Sequence, residues 1–376
     1  MTEAPQTGAS RPHTARLVSL LPVRLHQPTM VTAHTIRMLV GGAAVFYLFV
    51  LALRLLSASA SGVADLLTNL GADGPINLLG FGWLLAYGAL SGSPVAALSL
   101  SLLHGGAVTT SEALGMVSGS RFGASMVVLV VGFVAYVRGQ RSPDGIYVGV
   151  IALLTTATIY APATLLGLGL LDTGWLHGTV DSLPVEWGDA LAKIARPVVR
   201  TADDNLPGVA VFLLGIGSLL GAFALFDRLL PNLDPPTPRI ERFSQRFRSP
   251  RRMFLLGAAL TSITMSVSIS LTILVPLTMK GVVRRTDVIP YIMGANITTF
   301  IDTLFASFLV PGGGATEVVV AEMLSVTAVS VLVLLFAYGP YSRLLLNTAH
   351  LVSSQLQWFG VFLAIMTAVP LALLFV

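Results

Sequence analysis

The chain has 376 residues, of which 54% are hydrophobic and 11% charged, with a formal net charge of +4 and no cysteine. A soluble domain carries roughly a quarter charged residues, so a mean hydropathy of +0.82 excludes an ordinary soluble enzyme and points to repeated crossing of a membrane by apolar helices of ~20 residues. With no cysteine there is no disulfide framework and no thiol catalysis or cysteine metal site, and the excess positive charge reads as a topology signal rather than as nucleic-acid binding.

Residues 1–35 are polar and proline-punctuated, with Arg11, Arg16 and Arg24. They lack the short apolar region and small-residue cleavage site of a signal peptide, and are expected to remain as a cytoplasmic tail. Candidate spans follow at Ile36–Ala60, Ala113–Val137, Ile146–Leu171, Pro207–Leu230, Ile289–Val310, Thr316–Tyr338 and Val352–Val376. Two other apolar regions, Asn77–Leu103 and Phe254–Met279, are interrupted near their centres by "SGSP" (Ser91–Pro94) and "SITMSVS" (Ser262–Ser268). Ser93 before Pro94 is a helix-start signal, serine as N-cap and proline at the first helical position. A helix restarting at mid-membrane predicts a re-entrant hairpin, since irregular backbone is tolerated there only when buried in protein or lining a cavity.

If both interrupted regions are hairpins, the basic stretches fall on one face: the N-terminal tail, Arg138–Asp144, the linker 231–252 and Lys280–Arg285. By the positive-inside rule that face is cytoplasmic, and the chain belongs in a cell (inner) membrane. The mixed-charge loop 173–205 is then external, with an amphipathic helix expected around Val185–Val199.

Landmarks recur along the chain. "ALRLL" (Ala52–Leu56) returns as "ALFDRLL" (Ala224–Leu230), and "LSGS" (Leu90–Ser93) as "MSVS" (Met265–Ser268). Gly106 corresponds to Gly281, and "GSRFGAS" (Gly119–Ser125) to "GANITTF" (Gly294–Phe300); Ser91–Gly119 and Ser266–Gly294 are both 28 residues apart. Three crossings in the first half place the second half upside down. The expected fold is an all-α polytopic membrane protein of two inverted repeats, 36–172 and 206–376, each with a re-entrant hairpin and a discontinuous transmembrane helix broken at its second small-residue patch. Inverted repeats with broken helices are the architecture of secondary transporters, whose sites lie near the midplane.

"YIMGANITTF" (Tyr291–Phe300), 28 residues after a serine-rich patch, resembles the sodium–phosphate cotransporter family of the type II and bacterial kinds. That family repeats Gln-Ser-Ser-Ser followed by Gly-Ala/Ser-Asn-Ile-Gly-Thr-Thr in each inverted half. The resemblance runs from about Val40 to Val376, and implies sodium-coupled uptake of phosphate at the centre of the fold. The chain departs from the pattern at several positions. Leu90 and Met265 stand at the glutamine positions, and Ser91/Ser93 and Ser266/Ser268 are what remains of the serine triplets. Thr298 stands for glycine, Phe300 for threonine, and Arg121 for the first repeat's asparagine.

The candidate substrate site gathers Ser91, Ser93, Arg121, Ser266, Ser268, Asn296 and Thr299. Helix N-termini at mid-depth offer unpaired N–H groups to an oxyanion, and the hydroxyls add donors. Asn296 has both donor and acceptor for bridging anion and cation. Arg121 supplies the fixed charge, binding phosphate or carboxylate bidentately. Asp302, with Thr298 and Ser125, is the candidate ion-coupling group, since an intramembrane carboxylate marks an ion or proton path; it is equally a counter-ion for Arg121. His104 and Glu112 read as interfacial, Glu317 and Glu322 rank behind Asp302, and Arg54 and Arg228 lie near helix ends where snorkelling suffices.

The expected partners are inorganic phosphate or another small anion, Na⁺ or H⁺, and membrane lipids, with a homodimer as a further candidate. No cofactor, no metal beyond Na⁺ and no nucleic acid is expected, nor is an enzyme: no two histidines are paired at i, i+4 and no soluble domain is attached. The alternatives to sodium–phosphate symport are a proton-coupled or exchange carrier for another, organic anion, and a non-transporting membrane protein that kept the fold.

Overall fold

The computed structural model describes residues 28–69, 71, 73–137, 144–177, 186–229, 249–265, 270–271, 274, 277–278, 283–310 and 313–376. The chain divides between Val40 and Gly41, and every residue of the sites described below lies in 41–376. Among the described residues the regular structure is helical throughout. Seven helices among these residues are long and apolar enough to cross a membrane: Thr35–Ala58, Thr110–Val134, Gly145–Asp172, Gly208–Leu229, Arg285–Leu309, Gly314–Ser354 and Leu356–Leu373. The chain is a multi-pass membrane protein.

In chain order the helices are α1 (Pro28–Ala58), α2 (Ala60–Asn69), α3 (Pro75–Ala89), α4 (Ser93–His104), α5 (Thr110–Val137), α6 (Asp144–Asp172) and α7 (Glu186–Asn205). There follow α8 (Gly208–Leu229), α9 (Pro250–Thr264), α10 (Arg285–Thr298), α11 (Phe300–Leu309), α12 (Gly313–Leu332), α13 (Tyr338–Ser354) and α14 (Leu356–Leu373). α3 packs along α5, α5 along α6, and α9 along α10, while α6 also borders α12 and α13. α7 covers the stretch whose apolar and charged residues alternate at helical period.

Local geometry recurs at an offset of 175 residues. α3 and α9 both begin on proline, Pro75 and Pro250, and both run for 15 residues. Each ends on a residue in the left-handed region, Leu90 (φ 49°) and Met265 (φ 49°), which are the only non-glycine positive-φ residues among those described. The helix contacts match as well. A Cβ on Gly119 would lie 2.0 Å from the Leu79 carbonyl oxygen and 2.9 Å from the Trp83 nitrogen; on Gly294 it would lie 2.0 Å from the Phe254 oxygen and 2.9 Å from the Ala258 nitrogen. Small residues let membrane helices approach to backbone contact, and the two halves do so at equivalent positions.

The α3–α4 turn lies against the middle of a long helix: a Cβ on Gly92 would meet the Ser120 carbonyl oxygen at 2.7 Å and Ala124 Cβ at 3.1 Å, about halfway along α5. Left-handed backbone costs a residue with a Cβ roughly 1–2 kcal/mol, offset in part by the greater chain entropy a glycine loses. Leu90→Gly and Met265→Gly are therefore each expected to raise the thermal midpoint of the purified protein, by an amount corresponding to about 0.5–1 kcal/mol. A fall in both would show that the side chains stabilise the tips by more than the backbone strains them.

Three expectations are corrected. The first half has no broken helix at its second patch: α5 runs unbroken from Thr110 to Val137, because Gly115, Gly119 and Gly123 serve close approach to α3 and not a bend. In the second half the interruption is a single residue, Thr299, between α10 and α11, with φ −62° and ψ −21°. Ser93 is not an N-cap: Gly92 holds that position without a side-chain cap, and the Ser93 hydroxyl is left for other partners. The last-but-one span does not stop at Tyr338. Helix continues through a π segment, Val333–Ala337, to Ser354, and breaks at Gln355 (φ −130°, ψ 126°). Its 41 residues are about twice the ~20 that one crossing needs.

Candidate functional site

Arg121 sits halfway along α5 and is 5% exposed. Its Nη1 donates to Thr299 Oγ1 at 3.3 Å and its Nη2 to Thr303 Oγ1 at 2.5 Å. Its guanidinium carbon lies 4.6 Å from the centre of the Phe300 ring, an attractive placement of a cation over a π face. Thr299 and Thr303 are four residues apart, so the α10–α11 junction presents both hydroxyls on one side. Phe300, one of the departures from the resembled family, is the ring that covers the guanidinium.

Arg121 and Asp302 make no direct ion pair. Thr303 stands between them: its hydroxyl accepts from Arg121 and donates to Asp302 Oδ1 at 2.9 Å. The other carboxylate oxygen, Oδ2, and the Arg121 Nε are both buried without a hydrogen-bond partner. The Ser93 side chain lies beside the Asp302 carboxylate. A buried polar atom lacking its partner costs about 1–3 kcal/mol, so this cluster holds donor and acceptor capacity in reserve.

One turn before Arg121 on α5, Ser118 donates to Glu322 Oε1 at 2.6 Å, and Glu322 Oε2 is likewise buried without a partner. Glu322 is fully buried on α12, and the Arg121 charge acts on both carboxylates. Around them runs a chain of rings: Trp83 stacks on Phe122 at 4.7 Å, Phe122 meets Tyr160 at 6.1 Å, and Tyr160 meets Phe300 at 6.2 Å.

Two cavities adjoin this cluster. One, of about 370 Å³, is walled by Phe46, Phe49, Phe223, Phe226 and Phe305, with Asp302 the only charged lining residue among those described. The other, of about 330 Å³, is lined by Ser91 and Ser93 on the α3–α4 turn and by Asp227. Phe223, Phe226 and Met265 belong to both walls. Arg121 lines neither, and connects to the first through Thr303 and Asp302.

The structure thus brings Ser91, Ser93, Arg121, Thr299 and Asp302 into one neighbourhood. Three other candidates turn elsewhere. Asn296 donates its side-chain amide to Thr156 Oγ1 on α6 at 3.3 Å, and its backbone carbonyl accepts from the Tyr160 hydroxyl at 3.0 Å. Thr298 donates to the Ala258 carbonyl of α9 at 2.9 Å. Ser125 donates back to the Phe122 carbonyl of its own helix at 2.7 Å. Asn296 and Thr298 thus tie α10 to its neighbours, and Ser125 ties none. Ser266 and Ser268 lie outside the described residues. Thr303 was not singled out in the sequence; its i, i+4 spacing from Thr299 is the signal that marks it.

Protein-family models, curated proteins and solved structures were compared with the chain. None matches. The reading of the site therefore rests on its own chemistry: a guanidinium held by neutral hydroxyls keeps its charge available to an anion, and a carboxylate with one open oxygen accepts a cation or a proton.

Thr303→Val keeps the shape and removes the hydroxyl that links the two charges. It is expected to lower stability by about 1–3 kcal/mol, read as the thermal midpoint in detergent, with Thr303→Ser restoring most of it. A valine variant as stable as the wild type would show that the link carries no energy.

Proposed function

We propose that the protein is a secondary active transporter of a small oxyanion, with inorganic phosphate as substrate and Na⁺ as coupling ion. The observation that carries this reading is Arg121, a buried guanidinium at mid-helix whose two bonded amino groups are held by threonine hydroxyls and not by a carboxylate. In this reading the matched halves are inverted repeats and α3–α4 is a re-entrant hairpin that brings its tip to the centre; the second hairpin, expected within Phe254–Met279, lies partly outside the described residues. The resemblance of Tyr291–Phe300 to the sodium–phosphate cotransporters, and the equivalent tips at Leu90 and Met265, support it.

Coupling follows from the bridged charges. Phosphate takes the two amino groups of Arg121 in place of Thr299 and Thr303, which would leave Asp302 uncompensated at low dielectric. A cation on Asp302 alone, using Ser93 and the Thr303 hydroxyl, would leave Arg121 in the same position. Each ligand removes the penalty created by the other, so the two bind together. Such a coupling is reciprocal and is typically worth 1–3 kcal/mol. Phosphate is accordingly expected to raise the thermal midpoint of the purified protein in Na⁺ buffer and to leave it unchanged in K⁺ buffer. No shift in either buffer would remove the basis for phosphate as the substrate.

One observation favours a second reading. Five phenylalanines wall the cavity that ends on Asp302, which suits an apolar body better than a hydrated inorganic ion. A proton-coupled or exchange carrier of an organic anion would use Asp302 as its proton site, and would respond to a pH gradient in place of a Na⁺ gradient.

A further inference from the structure

Glu322 is a buried acid that the coupling scheme above leaves unused. It lies halfway along α12 and is fully buried. Its Oε1 accepts from Ser118 of α5 at 2.6 Å, and its Oε2 has no hydrogen-bond partner. Two helices close on that second oxygen: a Cβ on Gly167 of α6 would lie 3.2 Å from Oε2 and 3.0 Å from Leu114 Cδ1 of α5. The charge acting on Glu322 is that of Arg121 on α5, and the Tyr160 hydroxyl on α6 lies within its field. Helices α4, α10 and α11 also border α12; among their described residues none acts on Glu322 directly, Asp302 of α11 acting on Arg121 and Tyr160 instead. Glu317, on the same helix, is engaged by His177.

Charge does not balance in this cluster. Arg121 is one positive charge acting on two carboxylates, Asp302 and Glu322. An oxyanion that takes the guanidinium adds negative charge, and a Na⁺ on Asp302 answers for only one of the two acids. A buried carboxylate without a compensating charge is neutralised by a proton more readily than it is kept as an ion. The surroundings decide which cation Glu322 takes. Among the described residues Ser118 supplies the only hydroxyl bonded to it, too few oxygens to replace the hydration shell of Na⁺, whereas a proton needs a single lone pair.

We infer that Glu322 is a second coupling site, which binds a proton when an oxyanion withdraws the charge of Arg121. Ser118 occupies Oε1, so the new O–H bond forms at Oε2 with a proton from water. The proton returns to water when the anion leaves and the guanidinium again faces the carboxylate. The inference rests on the transport reading for the identity of the anion, and adds one proton to the Na⁺ of each cycle.

The test reads the proton itself. Infrared spectra of the full-length protein in detergent separate the carbonyl stretch of a protonated carboxylic acid from that of a carboxylate. Glu322→Gln, whose amide oxygen still accepts from Ser118, assigns the band. The first arm uses no ligand. Asp302→Asn is titrated beside Arg121→Asn/Asp302→Asn, so that the two samples differ in the Arg121 charge, and their thermal midpoints certify both as folded. The Glu322 band is expected to persist to a pH about one unit or more higher when Arg121 is absent, a tenfold gain in proton affinity. An unmoved band, or one that survives Glu322→Gln in the same background, overturns the inference. The second arm adds inorganic phosphate in Na⁺ buffer to the wild type and to Glu322→Gln. The acid band is expected to grow in the wild type alone. Phosphate that shifts the thermal midpoint without that growth also overturns the inference. Phosphate that does not bind overturns phosphate as the substrate, and the first arm then decides the role of Glu322.

Discussion

Neutralising Arg121 alone is expected to destabilise the protein more than neutralising Arg121 and Asp302 together. Arg121→Asn leaves Asp302 and Glu322, both within the field of the guanidinium, without a compensating charge. Removing one member of a buried charge pair costs about 3–5 kcal/mol, chiefly the penalty of the charge left behind. Adding Asp302→Asn removes part of that penalty, because the Thr303 hydroxyl then bridges two neutral amides. The midpoint of thermal unfolding should fall most for Arg121→Asn, less for Asp302→Asn, and recover in the double variant. The corresponding interaction energy is about 1–3 kcal/mol. Strict additivity would show that Thr303 transmits no coupling and that the two charges act independently.

The second large effect is expected at Gly294. A Cβ there meets the Phe254 carbonyl oxygen at 2.0 Å and the Ala258 nitrogen at 2.9 Å, and these are backbone atoms that no rotamer change moves aside. Gly294→Val must push α10 away from α9, with a cost of about 3 kcal/mol or more, and should yield protein that elutes as aggregate. Gly119→Val should fail in the same way, since its Cβ meets Leu79 and Trp83 at the same two distances. Gly217→Ala on α8 is the control: nothing lies within 4 Å of its added Cβ, and better helix propensity is expected to leave stability equal or raised by up to ~1 kcal/mol. A soluble, monodisperse Gly294→Val protein would contradict the close contact of these helices.

The membrane spans were legible because crossing a bilayer demands apolar length, a requirement that each segment meets by itself. The small-residue interruption after Leu90 was legible for a similar reason: a proline and three small polar residues rarely continue an apolar helix. What small residues do in such a helix was less so. Gly119 and Gly123 looked like a break and proved, with Gly115, to be a contact stripe, because in an apolar surround glycine favours close packing as readily as a bend. Placement within an apolar helix was readable for Arg121, Asn296, Thr298 and Ser125; direction around the helix was not. Asn296 faces α6, Thr298 faces α9, and Ser125 bonds to its own helix, choices made by neighbours that lie far off in sequence. The Arg121–Thr303 bond joins residues 182 positions apart, and only the folded arrangement of α5 against α11 reveals that the two charges meet through a hydroxyl. The span expected to end at Tyr338 runs on, because a π segment carries the helix past that point.

The central claim, that a buried guanidinium linked through a hydroxyl to a carboxylate makes this protein a cation-coupled oxyanion carrier, is tested most directly by flux. Uptake of labelled phosphate into proteoliposomes, with and without an inward Na⁺ gradient, is compared for the wild type and for Arg121→Asn. The account predicts accumulation by the wild type only under the Na⁺ gradient, and its loss in Arg121→Asn. An absence of wild-type flux under either condition, or flux unaltered in Arg121→Asn, would contradict it.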